Sequence, residues 1–215
     1  MSEQVKTVFY EWFESKVNDD LPDGWKIVDL QEVSTFSQGV QVPIGEQIEQ
    51  EKDGFIRFIR IVDITQGSDK EIRYVEARDR GHVVENEIFM IRYGTPGILS
   101  RNYKGVIANN LFKISPSDEV TSNYLFSALN VDRIQNYIKG NATSSTMPAI
   151  SFSTLNNQKV IIPDRETLEK FDEYSETIRK KQLNIINENK KLSQLRDTLL
   201  PKLMNGEIDL DNIEI

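Results

Sequence analysis

The chain has 215 residues, 34 acidic against 26 basic, with a formal net charge of −8; that size suits one globular unit plus an appendage, and the balance argues against a generally basic nucleic-acid coat. No cysteine and a single histidine exclude disulfide scaffolds, Cys-type zinc sites, thiol nucleophiles and a multi-His metal site within one chain. No run approaches the roughly 18 apolar residues that span a bilayer, and the N-terminus lacks a basic region followed by an apolar stretch, so a folded cytoplasmic protein without a membrane partner is expected.

Val5, Val8, Phe9, Trp12 and Phe13 recur at helical spacing, which predicts an amphipathic helix within residues 1–20 whose wide apolar face must dock somewhere. Leu21-Pro22-Asp23-Gly24 breaks the pattern, and a new domain is placed from Leu21. Phe55–Ile64 is rich in β-branched and aromatic residues and reads as a largely buried strand. Further apolar runs at Ile88–Ile91, Val106–Ala108, Leu111–Ile114 and Val160–Ile162 alternate with turns at Gly94-Thr95-Pro96-Gly97, Lys104-Gly105 and Pro116-Ser117. Between them Val120, Tyr124, Leu125, Ala128, Leu129, Val131, Ile134 and Ile138 form a helical stripe, with Ser117 or Thr121 as N-cap. Residues 21–163 therefore form a mixed, sheet-rich domain, and the fold class is α+β.

After Pro163 no proline or glycine recurs until Pro201, and Asp164 with Glu166 suits a helix start, so one helix is predicted over 164–200. At 1.5 Å per residue it is roughly 55 Å long. Stepping by three and four gives Leu168, Phe171, Ser175, Ile178, Gln182, Ile185, Asn189, Leu192, Arg196 and Leu199, a half-apolar heptad seam. One register is apolar throughout; the other turns polar after Leu168, and polar seam residues select register and partner. Two readings follow: a coiled coil with a second helix, or one helix folded back on its own domain. The tail 201–215 is acidic.

Charge is unevenly spread. Residues 88–117 hold Arg92, Arg101, Lys104 and Lys113 without an acid, and residues 133–163 hold Arg133, Lys139 and Lys159, again without one. With Tyr93, Asn102, Tyr103 and a Ser/Thr-rich loop between them, these stretches suit phosphate and base edges; an ordinary solvated face carrying a few bases is the plainer alternative. No phosphate-cradling glycine loop is present, His82 has no spaced serine or aspartate, and Glu188-x-Lys190 lies on the predicted helix. Nothing supports a catalytic site, a cofactor or a metal.

Leu21-Pro22-Asp23-Gly24-Trp25-Lys26 with Leu30 and Val33, the run Phe58–Ile64, the loop Arg92-Tyr93-Gly94-Thr95-Pro96-Gly97 and Asn110–Ile114 followed by Pro116 together resemble the target-recognition domain of type I restriction-modification specificity subunits. The stretch from Lys139-Gly140 to Ile150-Ser151, then Leu155 and Val160–Pro163, resembles that domain's closing segment. Leu195–Ile208, reading LRDTLLPKLMNGEI, is similar to the family's helix ending and is the most specific block. One departure stands at Pro163–Lys170, where many relatives carry a Pro-Pro-x-x-Glu-Gln run. Glu11-Trp12-Phe13 resembles the segment that follows the first spacer helix of full-length relatives, which suggests a half-length or carboxy-terminal-half form.

The resemblance implies a non-catalytic subunit that reads double-stranded DNA and holds methyltransferase and motor-nuclease subunits on the target. Family members usually carry two recognition domains and two helices paired antiparallel; one of each here implies a homodimer, or pairing with a second specificity chain, each chain reading one half-site. Helix length would set the gap. Expected base and phosphate contacts are Arg92, Tyr93 and Thr95; Arg101, Asn102 and Lys104; and Lys139, Asn141, Thr143, Ser144, Ser145 and Thr146. Arginine suits guanine, asparagine suits adenine, and Lys104 and Lys139 suit phosphate. Expected pairing residues are Leu168, Phe171, Ile178, Ile185, Leu192 and Leu199. The alternatives are a coiled-coil adaptor that does not read DNA, and a nuclease using Glu188 and Lys190 with Asp164.

Overall fold

A computed structural model describes residues 2–17, 20–67, 71–142 and 148–207. The chain divides into two units, Met1–Asp172 and Glu173–Ile215. In the first, β1 (Lys26–Asp29) pairs antiparallel with β10 (Lys159–Ile162), so the start and close of the domain share one ribbon. The four-residue helix α2 (Leu30–Val33) leads into β2 (Ser34–Gln38), the edge of an antiparallel sheet ordered β2, β9 (Leu111–Pro116), β6 (Ile88–Ile91) and β7 (Leu99–Ser100). The other four-stranded sheet is ordered β4 (Arg73–Glu76), β3 (Phe55–Ile59), β8 (Gly105–Ile107) and β5 (His82–Val83), with β3 and β8 parallel. A parallel bridge from Val40 to Ala108 joins the two sheets. Every residue of β6 and β8 is buried, which explains their unbroken apolar reading.

Two predicted elements are broken by side chains that cap backbone. The strand expected over 55–64 stops at Ile59, and a short helix α3 (Ile61–Thr65) follows. Buried Asp63 accepts a hydrogen bond from the Arg60 amide at 2.7 Å and faces the Arg60 and Arg57 guanidinium groups at 3.2 and 3.7 Å. A charged cap of this kind outweighs the β propensity of its neighbours. The stripe over 120–138 divides into α4 (Ser122–Leu129) and α5 (Asp132–Gly140). Asn130 donates to the Phe126 carbonyl at 2.7 Å and Gln135 to the Leu129 carbonyl at 2.8 Å, satisfying the end of α4. Of the two predicted caps, Thr121 serves, accepting from the Tyr124 amide at 3.1 Å.

The N-terminal helix α1 (Glu3–Trp12) buries Val5 and Phe9. Phe9 and Phe13 lie 5.5 and 5.3 Å from Phe171, and 5.2 and 5.1 Å from Tyr124 on α4. The Tyr124 hydroxyl donates to the Ile161 carbonyl, and burial pushes the phenol well above its ordinary pKa. Phe171 sits near the start of the long helix α7 (Arg165–Met204), and Leu168 beside it is equally buried. Both were expected on a pairing seam; they belong instead to the core of their own unit, since helical spacing marks an apolar face without saying what covers it. A short helix α6 (Phe152–Asn156) packs its Phe152 ring on Phe36 and Phe112.

Asp164 caps α7. It accepts from the Thr167 amide at 2.9 Å, the Thr167 hydroxyl at 2.8 Å and the Trp25 indole at 2.8 Å, and these donors hold its carboxyl down to about 2. The helix is 40 residues long and passes the predicted stop at Pro201. Proline there removes one hydrogen bond of the last turn only. The Gly206 and Glu207 amides then bond the Leu203 and Lys202 carbonyls at 3.2 and 2.9 Å, a Schellman close. No helix among the described residues is long and apolar enough to cross a membrane.

Candidate nucleic-acid interface

The loop after β6 and the segment after α5 are tied together. Tyr93 bridges Ala149, the Gly94 amide donates to Pro148 at 2.8 Å, and the Ile150 amide donates to Arg92 at 3.1 Å. Arg92 returns a side-chain bond to the Ile150 carbonyl at 3.0 Å, and its guanidinium lies 4.9 Å from the Tyr93 ring centre. Two clusters expected to meet DNA therefore share one backbone platform. Thr95, Lys139 and Asn141 are exposed on it, the Asn141 amide bonding the Tyr137 carbonyl at 2.9 Å to close α5. Thr143, Ser144, Ser145 and Thr146 lie outside the described residues.

The third cluster separates into two kinds of residue. Asn102 and Lys104 are exposed. Arg101 is not a surface contact: it is 8% exposed, donates to Asn123 Oδ1 at 2.6 Å and stacks 4.2 Å from the Phe126 ring centre. Asn123 in turn donates to Asp172 at 3.0 Å. Such a buried guanidinium is held by its amide and ring neighbours, the amide being braced in turn by a carboxylate, and is unavailable to a base.

Stretches free of acids in sequence are not free of them in space. Lys113 pairs with Glu87, Arg133 with Glu14 at 2.7 Å and Lys159 with Asp29 at 2.7 Å. The basic face expected from the linear pattern is thereby reduced mainly to Lys104, Lys139 and the partly engaged Arg92. Of the nuclease candidates, Glu188 and Lys190 are exposed on α7, and the Asp164 carboxylate is occupied by its cap. Among the described residues no group of three or more His, Cys, Asp or Glu side chains forms a metal-ligating cluster.

Along α7, Ile178 and Leu199 are half-buried, whereas Ile185 and Leu192 are each 56% exposed, as is Ile186 beside them. The expected pairing residues thus divide among the core (Leu168, Phe171), half-buried positions (Ile178, Leu199) and an exposed apolar stripe in the second unit (Ile185, Leu192).

Sequence reasoning missed an open cleft of about 520 Å³ lined by Gln38, Gly39, Val40, Gln41, Arg78, Arg80 and Asn109. It lies beside the platform: the Asn110 carbonyl, next to Asn109, accepts the Arg92 amide at 2.9 Å. The available signal was compositional, amides in Gln38-Gly39-Val40-Gln41 and arginines in Arg78-Asp79-Arg80-Gly81. Nothing in the linear sequence says that these two segments meet.

Residues 22–189 match the family model described as the type I restriction modification DNA specificity domain. The type I restriction enzyme HindI specificity subunit of Haemophilus influenzae is 28% identical over 197 residues, covering 87% of this chain and 42% of that protein. The MjaIX specificity subunit of Methanocaldococcus jannaschii is 22% identical over 211 residues, covering 94% and 48%. The crystal structure of the HsdS subunit from Thermoanaerobacter tengcongensis superimposes with a TM-score of 0.61 at 18% identity, over 95% of this chain and 50% of that one. The chain thus spans about half the length of the relatives it matches.

Proposed function

The chain belongs to the type I restriction-modification DNA specificity family, and from that premise we propose that it reads one half-site of double-stranded DNA and docks methyltransferase subunits, and through them the restriction subunit, without catalysing a reaction itself. The observation that carries this reading is the Tyr93–Ala149 bridge with its flanking hydrogen bonds, which unites the loop after β6 with the segment after α5 on one scaffold. Recognition loops held on a rigid sheet are the usual arrangement for specific contact. Thr95, Asn102, Lys104, Lys139 and Asn141 are exposed for that role. We infer further that two such chains pair through Ile185, Ile186, Leu192 and Leu195, each more than half exposed in one copy, since apolar side chains at heptad spacing gain by mutual burial.

With net charge −8 and most bases of the two stretches paired internally, the chain alone binds DNA weakly and the partner supplies much of the affinity. The test is sedimentation and duplex binding at low salt, with and without a type I methyltransferase subunit. A ternary complex preferring particular sequences supports the reading; absence of any complex with DNA or subunit overturns it.

A further inference from the structure

We propose that the cleft between the end of β2 and the Arg78–Gly81 turn is a base-reading surface, with Gln41 and Asn109 presenting amides to base edges and Arg80 forking onto guanine. This rests on the DNA-reading function proposed above and assigns to it residues outside the loops that the sequence pointed to.

The cleft has a fixed backbone floor. Space that a Cβ on Gly39 would occupy is filled by the carbonyl oxygens of Ile107 and Ala108, so only glycine allows this approach. The Gly39 amide donates to Leu111 at 3.0 Å, the Val40 amide to Ile107 at 2.9 Å, and the Ile107 amide to Gly81 at 2.9 Å. Gly81 has a φ of +73°, and its Cβ position is 3.4 Å from the Gly39 Cα. The extended Gly39 segment and the Gly81 turn therefore press on one strand end, at the Val40–Ala108 bridge that joins the sheets. Gln38, Gln41, Arg78 and Arg80, from the two glycine segments, line the cleft together with Asn109.

Those side chains are prepared for hydrogen bonding yet incompletely used. Gln38 donates to the Asn109 backbone carbonyl at 3.0 Å, and the Asn109 amide donates to Gln41 Oε1 at 3.4 Å. Among the described residues the Gln41 amide nitrogen and the Asn109 side-chain oxygen have no partner, leaving a donor and an acceptor, the pair that adenine's N7 and N6 groups complement. Arg78 is braced through its Nε on the Glu76 carbonyl at 3.1 Å. Arg80 is exposed and makes no hydrogen bond or ion pair among the described residues, unlike Lys113, Arg133 and Lys159. Asp79, between the two arginines in sequence, does not line the cleft. A small-molecule pocket is mostly apolar; amides and guanidinium groups around an open cleft suit the polar edge of a duplex groove.

The experiment uses the full chain with its methyltransferase partner on a random duplex pool, reading the sequences bound and methylated. Gln41→Ala and Arg80→Ala change exposed side chains without core contacts, and thermal melts confirm their folding. Arg80→Ala is expected to lower discrimination at one or two base positions by roughly 5- to 150-fold, the equivalent of one bidentate contact, and Gln41→Ala, which removes one of the two bonds to adenine, by less, while other positions keep their preference. Arg80→Lys is expected not to restore it, because lysine lacks the planar fork. A photo-crosslinking residue at position 41 is expected to label a base. A wild-type motif retained at every position overturns the proposal. So does a uniform loss across all sequences with a shallower salt slope, which marks a phosphate contact. A wild-type complex without any sequence preference overturns the function itself and is told apart by that control.

Discussion

From Arg165 to Asp172, α7 is a core element; from Ile185 onward it carries an exposed apolar stripe. Leu168 and Phe171 are 1% and 0% exposed, against 56% for both Ile185 and Leu192, although the same three-and-four step generates all of them. The first stretch meets a ready-made aromatic socket of Phe9, Phe13 and Tyr124. The second belongs to a unit whose described residues are almost all in this helix. Periodicity therefore fixes which side of a helix is apolar, and only the surroundings decide whether that side serves stability or association.

The largest expected effect separates the two stretches. Phe171→Ala empties the centre of the aromatic socket and should cost about 3–5 kcal/mol of stability, read as a drop in the denaturation midpoint of the first unit. Ile185→Asp combined with Leu192→Asp should leave that midpoint unchanged while halving the sedimenting mass at micromolar concentration, since a charge on a paired seam is desolvated without a partner. A double variant that stays paired would show that the exposed stripe is not the association surface. Next in size is the polar chain from Arg101 through Asn123 to Asp172, which holds the last residue of the buried stretch. Arg101→Met should destabilise by about 1–3 kcal/mol by leaving buried polar partners unsatisfied. The DNA motif bound with the methyltransferase subunit should be unchanged, and an altered motif would return Arg101 to the reading surface.

Much of the framework was legible. The apolar runs at Ile88–Ile91, Leu111–Ile114 and Val160–Ile162 lie in β6, β9 and β10, and the docking face of the first helix holds Val5, Phe9 and Phe13 in the core. These signals are local, a hydrophobic pattern matched to one element. What escaped depended on residues distant in sequence. Glu14 reaching Arg133 and Glu87 reaching Lys113 cancel a charge pattern that looked uniform along the chain. Arg101 reads as a surface base until Asn123 and Phe126 are seen beside it. The Gln41 and Arg80 cleft exists because the extended Gly39 segment and the Gly81 turn converge on Ile107 and Ala108, a tertiary event with no linear trace. The platform loop stands out in the sequence because it carries Arg, Tyr and Thr together, whereas the polar groups of the cleft sit on segments about forty residues apart.

The smallest expected effect concerns how the buried stretch of α7 begins. Asp164 accepts from Thr167 and Trp25, and these donors lower its carboxyl from 3.8 to about 2. Because the folded pKa is depressed, the cap's contribution is complete above about pH 4 and fades as pH falls toward 2. Asparagine also caps helices, so Asp164→Asn should change stability little at low pH, where the wild-type carboxyl is itself becoming neutral. At neutral pH the variant should melt lower, because it loses the charge-assisted bonds and the interaction with the helix N-terminus. The two melting curves should therefore converge between pH 4 and pH 2, with Trp25 emission shifting over the same range in the wild type alone. Parallel pH profiles would mean that the cap's charge contributes nothing and that the aromatic socket alone anchors the helix. Pairing through Ile185 and Leu192 should be indifferent to the substitution at neutral pH, because the cap acts within the first turn of α7 and the stripe lies beyond the reach of a helix-end charge.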